Sequence, residues 1–119
     1  MDTRKNLIKD KSYNFALEII RLVKKLPRDI AGFELGKQLI RSGTSIGANV
    51  EEAIGASSRK DFIHKMNISK KEARESRYWL RLILDSQLSN KIRTNKLVDE
   101  ASELIKILTS IVRTTEKQT

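Results

Sequence analysis

Between Thr94 and Thr115 the chain places Leu97, Val98, Ala101, Leu104, Ile105, Leu108, Ile111 and Val112 at intervals of three and four. That spacing puts all eight on one heptad-like stripe of an α-helix, and so apolar a stripe has to be buried against another element. A half-buried strand would alternate, and no segment does. Three further segments carry the helical period. About 12–26 contributes Phe15, Ala16, Ile19, Ile20, Leu22, Val23 and Leu26. About 33–54 contributes Leu35, Leu39, Ile46, Val50 and Ala53. About 58–86 contributes Phe62, Met66, Ala73, Leu80 and Leu84, with Ser69 and Ser76 as small members. Four amphipathic helices with short connections predict an all-α fold, an antiparallel up-down-up-down four-helix bundle spanning 1–119 as a single domain.

The boundaries have chemical markers. Ser12 is the expected N-cap of the first helix, and Pro27 its stop, because the proline ring disfavours helix at the preceding residue. The linker LPRDIAG follows, with the sequence around Leu88 to Lys91 as the last turn. Ser57 or Ser58 caps the third helix, with Asp61 in its first turn favourable to the helix dipole. No internal repeat or low-complexity tract interrupts this order.

The stretch RSGTSIGANVEEAIGA, Arg41 to Ala56, has the composition of a loop and the apolar period of a helix. A phosphate loop would require Gly-x-x-x-x-Gly-Lys-Ser/Thr after a strand. Gly43 and Gly47 lack the Lys-Ser/Thr, and no strand precedes them. On a helix, Gly36, Gly43 and Gly47 fall on one line beside the apolar arc. Each costs about 1 kcal/mol against alanine, so three in line argue for a neighbour that comes close, in the manner of small-xxx-small packing. Trp79, Tyr78 or Phe33 is the expected bulk against them. The serines and threonine are expected to bond back to the preceding turn. Asn49 projects at the edge of the arc, where an amide must be hydrogen-bonded. Its expected role is structural, fixing register or pairing with a charged group on another helix.

With 24 Lys and Arg against 15 Asp and Glu, the chain carries +9. Such an excess favours nucleic acid, an anionic membrane surface or an acidic partner; it also serves solubility alone. In the third segment Lys70, Arg74, Arg77 and Arg81 share one helical line at i, i+4, i+7 and i+11. Three readings stand. The line is a solvated face, or it pairs with Glu51 and Glu52, or it contacts phosphates, which arginine forks match in shape. Ile68, Glu72, Trp79, Leu82 and Ile83 lie on the other side of the same helix. They make the apolar arc wider than one core needs, and a wide arc with Trp and Tyr predicts a subunit interface.

Enzyme chemistry is poorly provided. There is no cysteine, which excludes disulfides and thiolate sites and suits a reducing cytoplasm. His64 is the only histidine. Asp61 and His64 have the i, i+3 spacing of carboxylate-bridged metal sites, but such sites need a second pair and further carboxylates. No metal, cofactor or catalytic residue is expected. No apolar run reaches the roughly 18 residues of a membrane span. The N-terminus lacks a signal-peptide core, and no membrane partner is expected.

Arg41-Ser42, Ser45-Ile46, Asn49, Glu52, Phe62 and the Glu72-Ala73 … Glu75 run together form a specific pattern. With the KEARESRYWLRL run, it closely resembles the bacterial family called four helix bundle protein, also named 23S rRNA intervening-sequence protein. The resemblance covers about Phe15 to Thr115. It implies an antiparallel four-helix bundle assembled as a ring, a homopentamer, with Arg41, Asn49 and Glu52 as structural polar residues. Some members are encoded within insertions in ribosomal RNA genes. The family is also similar to the accessory variability-determinant protein of diversity-generating retroelements, a basic pentamer that binds a reverse transcriptase and nucleic acid. The resemblance brings no catalytic residues. Two functions are therefore expected: a non-enzymatic oligomeric scaffold binding RNA or DNA through basic surface, or a protein-binding adaptor ring whose charge is incidental.

Overall fold

Each apolar stripe becomes one long helix. The computed structural model describes residues 3–118, which form α1 (Thr3–Val23), α2 (Ile30–Ile54), α3 (Arg59–Asp85) and α4 (Lys91–Lys117). No strand occurs among the described residues. Cross-helix contacts run in opposite directions along α2–α3 and along α1–α4. Ser69 Oγ donates to the Ile46 carbonyl at 2.8 Å and Ser76 Oγ to Ser42 Oγ at 2.9 Å, which sets α2 antiparallel to α3. Arg4 reaches Ser110 and Thr114 while Lys11 reaches Glu103, which sets α1 antiparallel to α4. Each helix packs on two neighbours and none on its diagonal, in a bundle of 49 × 21 × 18 Å.

The core follows the predicted stripes. Phe15, Ile19 and Leu22 of α1 meet Leu39, Ile46 and Val50 of α2, Met66, Ala73 and Leu80 of α3, and Leu97, Ala101, Leu104 and Leu108 of α4. The helix starts differ from expectation. α1 begins nine residues before Ser12, because Ile8 extends the stripe through a polar stretch. Ser12 is therefore no cap. It is buried in mid-helix, with Oγ donating to the Lys9 carbonyl at 3.2 Å. α1 closes at Val23 through turn bonds from Lys25 and Leu26, ahead of Pro27. α2 starts at Ile30, where the Asp29 carboxylate accepts from the Gly32 N–H at 2.8 Å. Ser58 caps α3 as expected, and Asn90 caps α4.

The glycine line lies inside α2, as predicted, but its close neighbour is α1. A Cβ on Gly43 would stand 3.0 Å from Ile19 Cγ2, one on Gly36 3.1 Å from Val23 Cγ1, and one on Gly47 3.2 Å from Ser12 Oγ. Trp79 lies on α3, away from this seam, and Tyr78 and Phe33 are exposed. The close neighbours thus come from α1: aliphatic side chains at Gly36 and Gly43, and Ser12 at Gly47. Gly32 is more demanding still, since a Cβ there would sit 1.8 Å from the Pro27 carbonyl oxygen. The stretch also back-bonds as expected. Thr44 Oγ1 donates to the Ile40 carbonyl at 2.7 Å, and Ser45 donates to the Arg41 carbonyl.

Gly43→Leu is expected to destabilise the bundle by about 1–3 kcal/mol through overpacking against Ile19. Ala48→Leu, on the exposed side of the same helix, should leave stability nearly unchanged. Urea unfolding of the two variants checks this, and equal midpoints would refute the close approach.

Candidate nucleic-acid interface

Interhelical ion pairs occupy two of the four seams. Across α2 and α3, Arg41 binds Glu75 and lies 3.7 Å from Glu72, while Lys65 lies 3.3 Å from Glu52. Across α1 and α4, Lys11 binds Glu103 and Arg93 lies 3.4 Å from Glu18. The α1–α2 seam is the glycine seam. The α3–α4 seam is lined by cations, yet among the described residues no ion pair crosses it.

That seam carries the predicted basic line. Arg74 and Arg81 are exposed; Lys70 and Arg77 are half-buried at their stems. Among the described residues, none of the four meets a carboxylate within 4.0 Å. Arg77 instead donates to Ser102 Oγ of α4 at 3.3 Å. This contact fixes the register of the two helices and exposes something one helix alone does not reveal. Ser102, Lys106, Thr109 and Arg113 follow the same i, i+4, i+7, i+11 spacing on α4, so Lys106 and Arg113 extend the cationic surface onto the second helix. The α3 line runs about 16 Å at 1.5 Å per residue. Unpaired guanidinium and ammonium groups on a shared surface add their fields, the footprint of a phosphate-binding face.

The other predicted residues sort differently. Glu52 does pair across helices, but its partner is Lys65, so the basic line is not tied up by it. Arg41 joins α2 to α3 as a structural polar residue. Asn49 makes a purely local bond, Nδ2 donating to the Ser45 carbonyl of its own helix at 2.8 Å. Of the four predicted interface residues, Ile83 is fully buried in the protomer's own core and presents no surface; this corrects its outward placement. Its i+3 relation to Leu80 turns it inward against α2. Glu72 is engaged with Arg41, and Ile68 and Trp79 remain partly exposed. Trp79 packs its ring against the core and edge-on to Tyr78 at 5.1 Å, with its buried Nε1–H meeting no acceptor among the described residues. His64 is exposed. No cluster of His, Asp and Glu among the described residues can hold a metal ion.

Two carboxylates are perturbed. Burial, then the neighbouring Glu75, raises Glu72 above the ordinary carboxylate range, with Arg41 opposing. Glu18 is lowered, chiefly by its hydrogen bond to Arg21, with Arg93 adding to it. Glu72 is thus shifted by its burial at the α2–α3 seam, and Glu18 mainly by a neighbour on its own helix.

The family described as 23S rRNA-intervening sequence protein matches residues 4–110. A crystal structure of a protein of unknown function from the S23 ribosomal protein family of Bacteroides thetaiotaomicron is 43% identical, with a TM-score of 0.86. The match covers 92% of this chain and 98% of that one. No curated protein matches the chain.

Because the folded-state pKa of Glu72 lies above its unfolded value, folding favours its protonated form. Its contribution is most favourable at low pH and declines as pH rises through the carboxylate range. Glu72→Gln removes that decline. The variant should therefore gain stability relative to the wild type between about pH 4 and about pH 7. Denaturant midpoints across that range check it. A gap that moves the other way would mean attraction to Arg41 outweighs burial.

Proposed function

The chain belongs to the 23S rRNA-intervening sequence protein family, and we propose that it is a non-enzymatic oligomeric scaffold that binds RNA or DNA through its α3–α4 face. One observation carries this reading: among the described residues the cations of that face lack carboxylate partners, whereas Arg41, Lys65, Lys11 and Arg93 pair across the two other seams. Lys70, Arg74, Arg77 and Arg81 are the contact residues, joined by Lys106 and Arg113. Phosphates position such a ligand and carry no sequence information, so affinity varies little with sequence. Phe15 and Phe62 are buried, and Tyr78 is the one exposed ring beside the line among the described residues of α3, which leaves the face short of rings on which bases stack.

Assembly is part of the proposal. Ile68, Trp79, Tyr78 and Leu82 leave apolar surface on α3 beyond the bundle core, and self-association buries it. The family resemblance supplies the number, a homopentamer. A ring repeats the basic line, and multivalency raises avidity without new contacts.

The test is Arg74→Glu combined with Arg77→Glu, scored for solution mass by light scattering and for affinity to a single-stranded RNA. Unchanged mass with affinity reduced at least tenfold is expected. Lost assembly would make the line structural. Unchanged affinity would favour the adaptor ring, in which a protein such as a reverse transcriptase is the partner and the charge is incidental.

A further inference from the structure

The most exposed large apolar side chains gather at one end of the bundle. Ile30 and Ile92 are each 84% exposed and Phe33 is 60% exposed. Ile30 stands in the first turn of α2 and Ile92 in the first turn of α4. The antiparallel order brings both starts to the end where α1 and α3 finish. There Leu22 of α1 and Lys25 of the turn after it share a groove of ≈ 490 Å³ with Ile92, Arg93 and Lys96 of α4. The same end carries Lys24, Lys25, Arg28, Lys91 and Lys96, none with a carboxylate within 4.0 Å among the described residues. The nearby carboxylates in sequence are Asp29, Glu34, Asp85, Asp99 and Glu100; Asp29 is already bonded to the Gly32 N–H, and none of the others pairs with these cations. Aliphatic side chains therefore project from a ring of unpaired cations.

We propose that this end of the bundle docks on an anionic lipid surface, with Ile30, Ile92 and Phe33 entering the headgroup boundary and the surrounding lysines and Arg28 facing lipid phosphates and carboxylates. Three alternatives fit less well. A second copy meeting end to end would oppose two cationic rings. Nucleic acid uses the cations but gives two isoleucines nothing to stack on. An acidic protein suits the charge, but Ile30 and Ile92 start α2 and α4, which lie diagonal to each other, so they form no contiguous apolar area of the kind at the centre of a protein interface. A bilayer needs no such area. It takes up a few apolar side chains and rewards each nearby cation. No described helix is long and apolar enough to cross a membrane, so the contact is with the surface alone.

The experiment is co-sedimentation of the full chain with phosphatidylcholine vesicles, with and without phosphatidylserine. The wild type should bind the phosphatidylserine vesicles and leave the neutral ones largely free. Ile30→Ser with Ile92→Ser should lower that partition about tenfold with RNA affinity unchanged. Both residues are outside the core, so the fold is kept. Arg74→Glu with Arg77→Glu should retain vesicle binding. Absence of wild-type binding would overturn the proposal and leave an acidic protein as the occupant. Equal binding by the isoleucine variant would overturn it too, as would loss of vesicle binding in the arginine variant, which would make the vesicle a mere polyanion for the α3–α4 face.

Discussion

The placement of carboxylates governs what this surface can do. A chain with 24 cations and 15 acids can spread them evenly or concentrate its pairs. Here Glu52, Glu72 and Glu75 serve the α2–α3 seam, and Glu18 and Glu103 the α1–α4 seam. Each such pair is partly exposed and adds little stability by itself. Their larger effect is by subtraction, since these acids are engaged at the other seams and, among the described residues, no ion pair crosses α3–α4.

Packing makes that arrangement possible. Ile19 seats against Gly43, so α1 lies close on α2, and among the described residues no ion pair crosses that seam. Ser42, Ser69 and Ser76 let α3 approach α2 with their hydroxyls satisfied. Small residues therefore line both sides of α2, and the ion pairs sit outside these contacts. The burial that lifts Glu72 is a consequence of that closeness.

Much of this was legible in the sequence. The stripe of α4 is buried or packed on the core from Leu97 to Val112, because eight apolar residues at one period leave little choice. The basic line of α3 was legible for the same reason. The first turns of α1 were not, since only Ile8 marks the stripe in an otherwise polar run. Partners across helices were hidden as well. A wheel shows that Gly43 wants a close neighbour, but not that Ile19 supplies it. It places Ile83 beside Trp79, but not that α2 covers one and leaves the other partly open. Lys106 and Arg113 join the interface only once Arg77 and Ser102 fix how α4 lies along α3.

The salt dependence of wild-type affinity for single-stranded RNA tests the central claim most directly. Six phosphate contacts on one protomer release counterions and give a log–log slope of roughly −4, steeper if several protomers engage one strand. A slope near zero, or no binding at low salt, would contradict the assignment of the α3–α4 face to phosphate.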